Sequence, residues 1–132
     1  MEKINLSGEF IKDIYIRPFD EESNNFDKLI LFLTTKIVVI EVDNDTDELS
    51  IKVINQPESV ESFLLDGKYE NPVWSKSLKE KRIIGSWLAN NQQGYFDLFA
   101  LGVDEFIPNF IISCAASQLN IGQISFLTRT HK

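Results

Sequence analysis

The chain has 132 residues, 43% of them hydrophobic and 25% charged, which fits one globular domain over residues 1–132 that can bury a core without disulfides or metals. A net charge of -7 argues against nucleic acid or an anionic membrane as partner and favours a basic protein. One cysteine excludes an intrachain disulfide, the first residues hold no signal-peptide pattern, and no apolar run approaches the ~20 residues that span a bilayer, so a cytoplasmic location is expected.

Residues 10–17 alternate, with Phe10, Lys12, Ile14 and Ile16 sharing one face of an expected strand that Pro18 ends. Residues 20–27 are acidic and polar and read as a loop. The apolar run 28–34 reads as a central strand buried on both faces. Residues 37–42 and 49–54 alternate and complete a three-stranded meander, with Val38, Ile40, Val42, Leu49, Ile51 and Val53 facing inward. Two short helices are expected, over 57–65 and over 72–81. The second would have Asn71 as N-cap, Pro72 in its first turn, and Trp74 and Leu78 on one face.

Strands 83–89 and 95–103 form a hairpin around an amide-rich turn, Asn90 to Gly94. That register sets Ala89 opposite Tyr95 and Trp87 opposite Asp97. A last hairpin runs over 110–116 and 121–127 with its bend near Asn120–Gly122. The expected class is α+β, mostly β: a curled antiparallel sheet of about seven strands, partly closed into a barrel, with one or two short helices.

The run W-L-A-N-N-Q-Q-G-Y-F-D resembles a family of small bacterial proteins known as a domain of unknown function, whose shared centre reads W-x-x-x-N-Q-Q-G-Y-x-D. Trp87, Asn91, Gln92, Gln93, Gly94, Tyr95 and Asp97 carry the match. The D-x-D-T-D-E-L meander and the strand near Ser113–Ser117 extend the resemblance to about residues 9–127. Family members often carry Gly after the Asp, where this chain has Leu98. The resemblance implies a shared fold unit and no assigned activity.

Chemistry-bearing patterns are sparse. Asp43, Asp45 and Asp47 match the first, third and fifth ligands of a calcium loop, but Glu48 stands where Gly is needed and Ile54 where a bidentate Glu is needed. The segment reads instead as a solvated loop or as an acidic contact patch. Cys114 sits in an apolar strand, and the sole histidine, His131, is next to the last residue, so a nucleophile–base pair finds no support. No phosphate loop, dinucleotide fingerprint or zinc set occurs, and neither cofactor nor metal is expected.

Charge is uneven: residues 1–66 hold 15 acidic and 6 basic side chains, residues 67–132 hold 5 and 7. Small size, acidity and the lack of a catalytic set favour a non-catalytic protein-binding domain. The most concrete expectation is an immunity protein that covers the active site of a basic toxin. Asp43, Asp45, Asp47 and Glu48 would steer the partner, with Trp74 or Tyr95 as aromatic anchor. One alternative is a ligand-binding or enzymatic barrel with a pocket at Trp87, Asn91, Gln93, Tyr95 and Asp97. Another is a structural homodimer joined through an open sheet edge, in place of a monomer.

Overall fold

The computed structural model describes residues 4–18, 26–43, 48–55, 64–65, 67–90, 96–115 and 118–123. The strands are β1 (Ile11–Pro18), β2 (Phe26–Leu33), β3 (Lys36–Asp43), β4 (Glu48–Asn55), β5 (Ile83–Asn90), β6 (Phe96–Val103), β7 (Phe110–Ala115) and β8 (Gln118–Gln123). All pair antiparallel, in the order β4-β3-β2-β8-β7-β6-β5, with β1 also on β2. The sheet curls until the start of β1 meets the start of β5. There Ile11 N–H donates to Lys81 O (2.9 Å) and Ile83 N–H to Glu9 O (2.8 Å). The result is a partly closed barrel, mostly β, as the alternating strands require.

β2 is the middle of the structure because it is apolar on both sides. Leu29, Leu31 and Leu33 enter the main core with Ile14, Ile40, Phe99 and Phe110. Ile30 and Phe32 point the other way and form a second cluster with Ile37 and Val39, on which Tyr15, Ile54, Leu64 and Tyr69 pack. Burying each such side chain stabilises by roughly 1.5–3 kcal/mol, so the two faces together fix β2 centrally. The meander follows the expected alternation: Val38, Ile40 and Leu49 belong to the main core, and Val42 and Ile51, half-buried, pack against it. Val53 departs from it and is 38% exposed, since β4 runs along an open edge.

Three expectations are corrected. First, β1 carries a bulge: Ile11 faces Leu33 and Asp13 faces Phe32, leaving Lys12 as the extra residue. The inward set becomes Ile11, Ile14 and Ile16, and Phe10 is 41% exposed. Second, the helix expected over 72–81 is a single 3-10 turn, Val73–Ser77, with Pro72 as its N-cap and no side-chain cap. Asn71 is drawn elsewhere: its amide donates to Asp13 Oδ1 (2.9 Å) and to Ile14 O (2.7 Å). Third, Asn120–Gly122 lies inside β8 and pairs with β7, so the chain reverses between Ala115 and Gln118. The sheet itself, seven strands along one path with β1 added on β2, agrees with the expected curled sheet of about seven. The helix expected over 57–65 lies, apart from Leu64 and Leu65, outside the described residues.

Tyr15 sits edge-on to Phe32, ring centroids 5.7 Å apart. Burial, the charge of neighbouring Asp13 and a hydrogen bond to it push the phenol above its ordinary value, against an opposing hydrogen bond with Asn71. The folded chain therefore holds this proton more tightly than the unfolded chain. The stability it contributes is full below the unfolded phenol value of about 10 and falls as pH rises from there through the raised folded value. Tyr15→Phe removes that term. Urea midpoints of the two proteins should therefore diverge above about pH 10, with wild type losing more, and run parallel below it.

Candidate functional site

Two hairpin ends singled out by sequence meet at one end of the sheet. β3 ends at Asp43 and β4 starts at Glu48, its cross-strand partner. β5 ends at Asn90 and β6 starts at Phe96, again paired. The Phe96 N–H donates to Glu48 Oε2 at 3.0 Å, and β4 lies against β6. A charge-assisted bond thus ties the acidic hairpin to the amide-rich one across 48 residues of chain. Glu48→Ala should leave that half-buried amide without its acceptor and cost about 1–2 kcal/mol in chemical denaturation, with Glu48→Gln retaining part of it.

The β5–β6 register differs from expectation. Ala89 faces Leu98 and Asn90 faces Phe96, so Asp97 is the extra residue of a bulge. Trp87 faces Ala100, not Asp97. Space explains the choice. Gly85 and Gly102 face each other two pairs along, on the same face of the ladder, and the Trp87 ring lies over both: a Cβ on Gly85 would stand 2.9 Å from Trp87 Cη2, and one on Gly102 3.4 Å from it. The two glycines form a floor that any side chain would fill. A glycine on each strand next to a tryptophan is a readable signal of this arrangement that turn-length reasoning passes over.

The candidate residues are therefore divided. Asp43 and Glu48 stand together beside Phe96 and Asp97 at the rim. Trp87 lies further down the hairpin with its ring turned toward Gly102, so it shares no pocket with Asp97. Trp74 packs half-buried on Phe110 at 5.5 Å, and Phe110 faces Leu101 at the far end of β6, so this ring completes the core instead of anchoring a partner at the rim. Asp45, Asp47, Asn91, Gln93 and Tyr95 lie outside the described residues.

Glu41, Asp43, Glu48 and Asp97 belong to strand ends at the rim, where Lys28 faces Glu41 and Arg17 pairs with Asp27 (3.0 Å). Lys12, Lys81 and Arg82 gather at the opposite end, where Lys12 pairs with Glu80 (3.0 Å) and Lys81 with Asp104 (3.6 Å). Cys114 is buried in the main core. Among the described residues no three potential metal ligands cluster, and no helix is long and apolar enough to cross a membrane. Two open grooves flank the N-terminal segment. One, of about 400 Å³, runs between Ile4–Ser7 and Ile84–Trp87; the other, of about 510 Å³, between Ile4, Asn5, Lys36 and Ser50–Val53.

The family model that matches this chain spans residues 1–127 and so includes both hairpins and the seam between them. The chain belongs to DUF6334, a family of unknown function. No curated protein and no solved structure matches it. Within this DUF6334 chain the W-L-A-N-N-Q-Q-G-Y-F-D run now has a structural division: its Trp holds the glycine floor, and its Asp occupies the bulge beside the acidic hairpin.

Proposed function

We propose that this protein is a non-catalytic protein-binding domain, most concretely a cytoplasmic bacterial immunity protein that covers the active site of a basic toxin. The observation that carries the proposal is the Glu48–Phe96 hydrogen bond, which sets the acidic end of β3–β4 beside the amide-rich end of β5–β6. Charge at such a rim raises encounter rates with a basic partner and orients it. Side-chain amides of Asn90 and its neighbours in sequence offer both donors and acceptors for a partner backbone. Tyr95, in sequence between Gly94 and Phe96, is the aromatic anchor, because Trp74 packs on Phe110 against the core.

The test is a pull-down of the tagged protein from its native lysate at low salt, repeated at high salt, with mass spectrometry of what is held. The expected result is one basic protein at near-stoichiometric amount, released as salt rises. Retention of nothing from a lysate shown to contain candidate partners, or retention unchanged by salt, would remove the proposal.

A further inference from the structure

Among the described residues β4 ends the strand order and pairs with one strand, β3. The other end of that order, β5, is partly covered: Gly8 N–H donates to Ile83 O (2.8 Å), Ser7 Oγ to Ile84 O (3.0 Å) and Ser86 Oγ to Ile4 O (2.9 Å). Of the devices that blunt an edge, β4 carries a charge, the exposed Lys52, and an open groove separates Ser50–Val53 from Ile4 and Asn5; it has neither bulge nor proline. Its eight pairs with β3 run from Asp43–Glu48 to Lys36–Asn55 without a shift, whereas β1–β2 and β5–β6 are both bulged. It contains no proline, and Ser50, Lys52, Val53 and Asn55 are exposed. A straight, exposed edge is a template for another strand.

The charge of this hairpin selects the strand. Asp43 and Glu48 stand at one end, Lys36 and Lys52 toward the other. A second copy laid antiparallel on the same edge brings the acidic end of each onto the basic end of the other. A two-fold axis normal to the sheet keeps inner and outer faces aligned, so one residue must face itself. Centring on Lys52 sets lysine against lysine, and centring on Glu48 sets glutamate against glutamate. Centring on Leu49 or Ile51 sets a charge against Ser50. Centring on Ser50 alone sets Glu48 against Lys52, twice, with Leu49 against Ile51, twice, on the inner face.

We propose that the protein self-associates through β4, edge to edge, about a two-fold axis at Ser50, with Glu48 of each copy facing Lys52 of the other. The overlap of residues 48–52 supplies about four to six main-chain hydrogen bonds, whichever residues point their amides outward. The contact goes beyond partner binding at the rim and does not depend on it.

Charge reversal tests it by light scattering and sedimentation at rising concentration. Wild type should double in mass from 15.2 kDa. Lys52→Glu and Glu48→Lys should each stay at the single-chain mass, since each sets like charges together. An equimolar mixture of the two variants should recover the doubled mass, because each lysine edge then meets a glutamate edge. Far-UV circular dichroism confirms that each variant is folded. Ser50→Cys should cross-link to itself under mild oxidation, while Asn55→Cys should not; the native Cys114 is buried. A wild type of single-chain mass at all concentrations, a Lys52→Glu variant that still doubles, or a mixture that does not recover would each overturn the proposal.

Discussion

Phe99→Ala is expected to destabilise the protein by about 3–5 kcal/mol, a large share of the roughly 5–15 kcal/mol that holds a domain of this size together. Phe99 is fully buried in the main core. It stands in a row across four strands, facing Leu88 on β5 and Ile112 on β7, which in turn faces Ile121 on β8. Its removal opens a cavity that three neighbouring strands, pinned by their own ladders, cannot close. The urea midpoint should fall with its slope unchanged, and near-UV circular dichroism should weaken before the far-UV signal at intermediate urea only if two-state behaviour is lost. Phe106→Ala is the matched control: that ring is 84% exposed, and its loss should stay within about 0.5 kcal/mol.

Gly102→Ala is expected to cost about 2–3 kcal/mol, although it adds one methyl group. That carbon would stand 2.5 Å from the Glu105 carbonyl oxygen and 3.0 Å from that of Ile107. Both are main-chain atoms, so the turn after β6 must move. The turn has little freedom to do so. Asp104 already adopts φ +58°, and the Asn109 side chain clamps Val103, accepting its N–H at 2.7 Å and donating to its carbonyl at 2.9 Å. Displacing it also disturbs the Trp87 ring above Gly102, so the tryptophan emission should shift. Gly122→Ala separates this from a general glycine effect. Among the described residues a Cβ there meets only Ile111 Cβ, at 3.9 Å, and the substitution should be neutral or stabilise by up to about 1 kcal/mol through the unfolded chain.

Much of the fold was legible because burial follows period. β2 reads as a continuous apolar run and is buried on both faces; β3 reads as an alternating one and splits between the two clusters as that alternation dictates. Local irregularities were not legible. The extra residue at Lys12 is one lysine among alternating apolar positions, and it turns Phe10 outward without changing composition. Asn71 has the composition of a helix cap, yet Asp13 and Ile14, more than fifty residues earlier in the chain, hold its amide more usefully. For the candidate site, sequence marked both hairpin ends but not their meeting. Glu48 and Phe96 are joined by the way the sheet curls, which no local pattern encodes. Turn length and the glycine at position 94 set Trp87 against Asp97, while the observed register sets Trp87 over the Gly85–Gly102 floor, which only the two strands together reveal.

The central claim is that the two hairpin ends act as one partner-binding surface. Its most direct test repeats the low-salt pull-down with Asp43→Lys and, separately, Asp97→Lys, which alter one hairpin each and leave the Glu48–Phe96 bond in place. Loss of the same basic protein from both variants, each still folded, is the predicted result. Full retention by either variant would mean that its hairpin takes no part, and would contradict the claim.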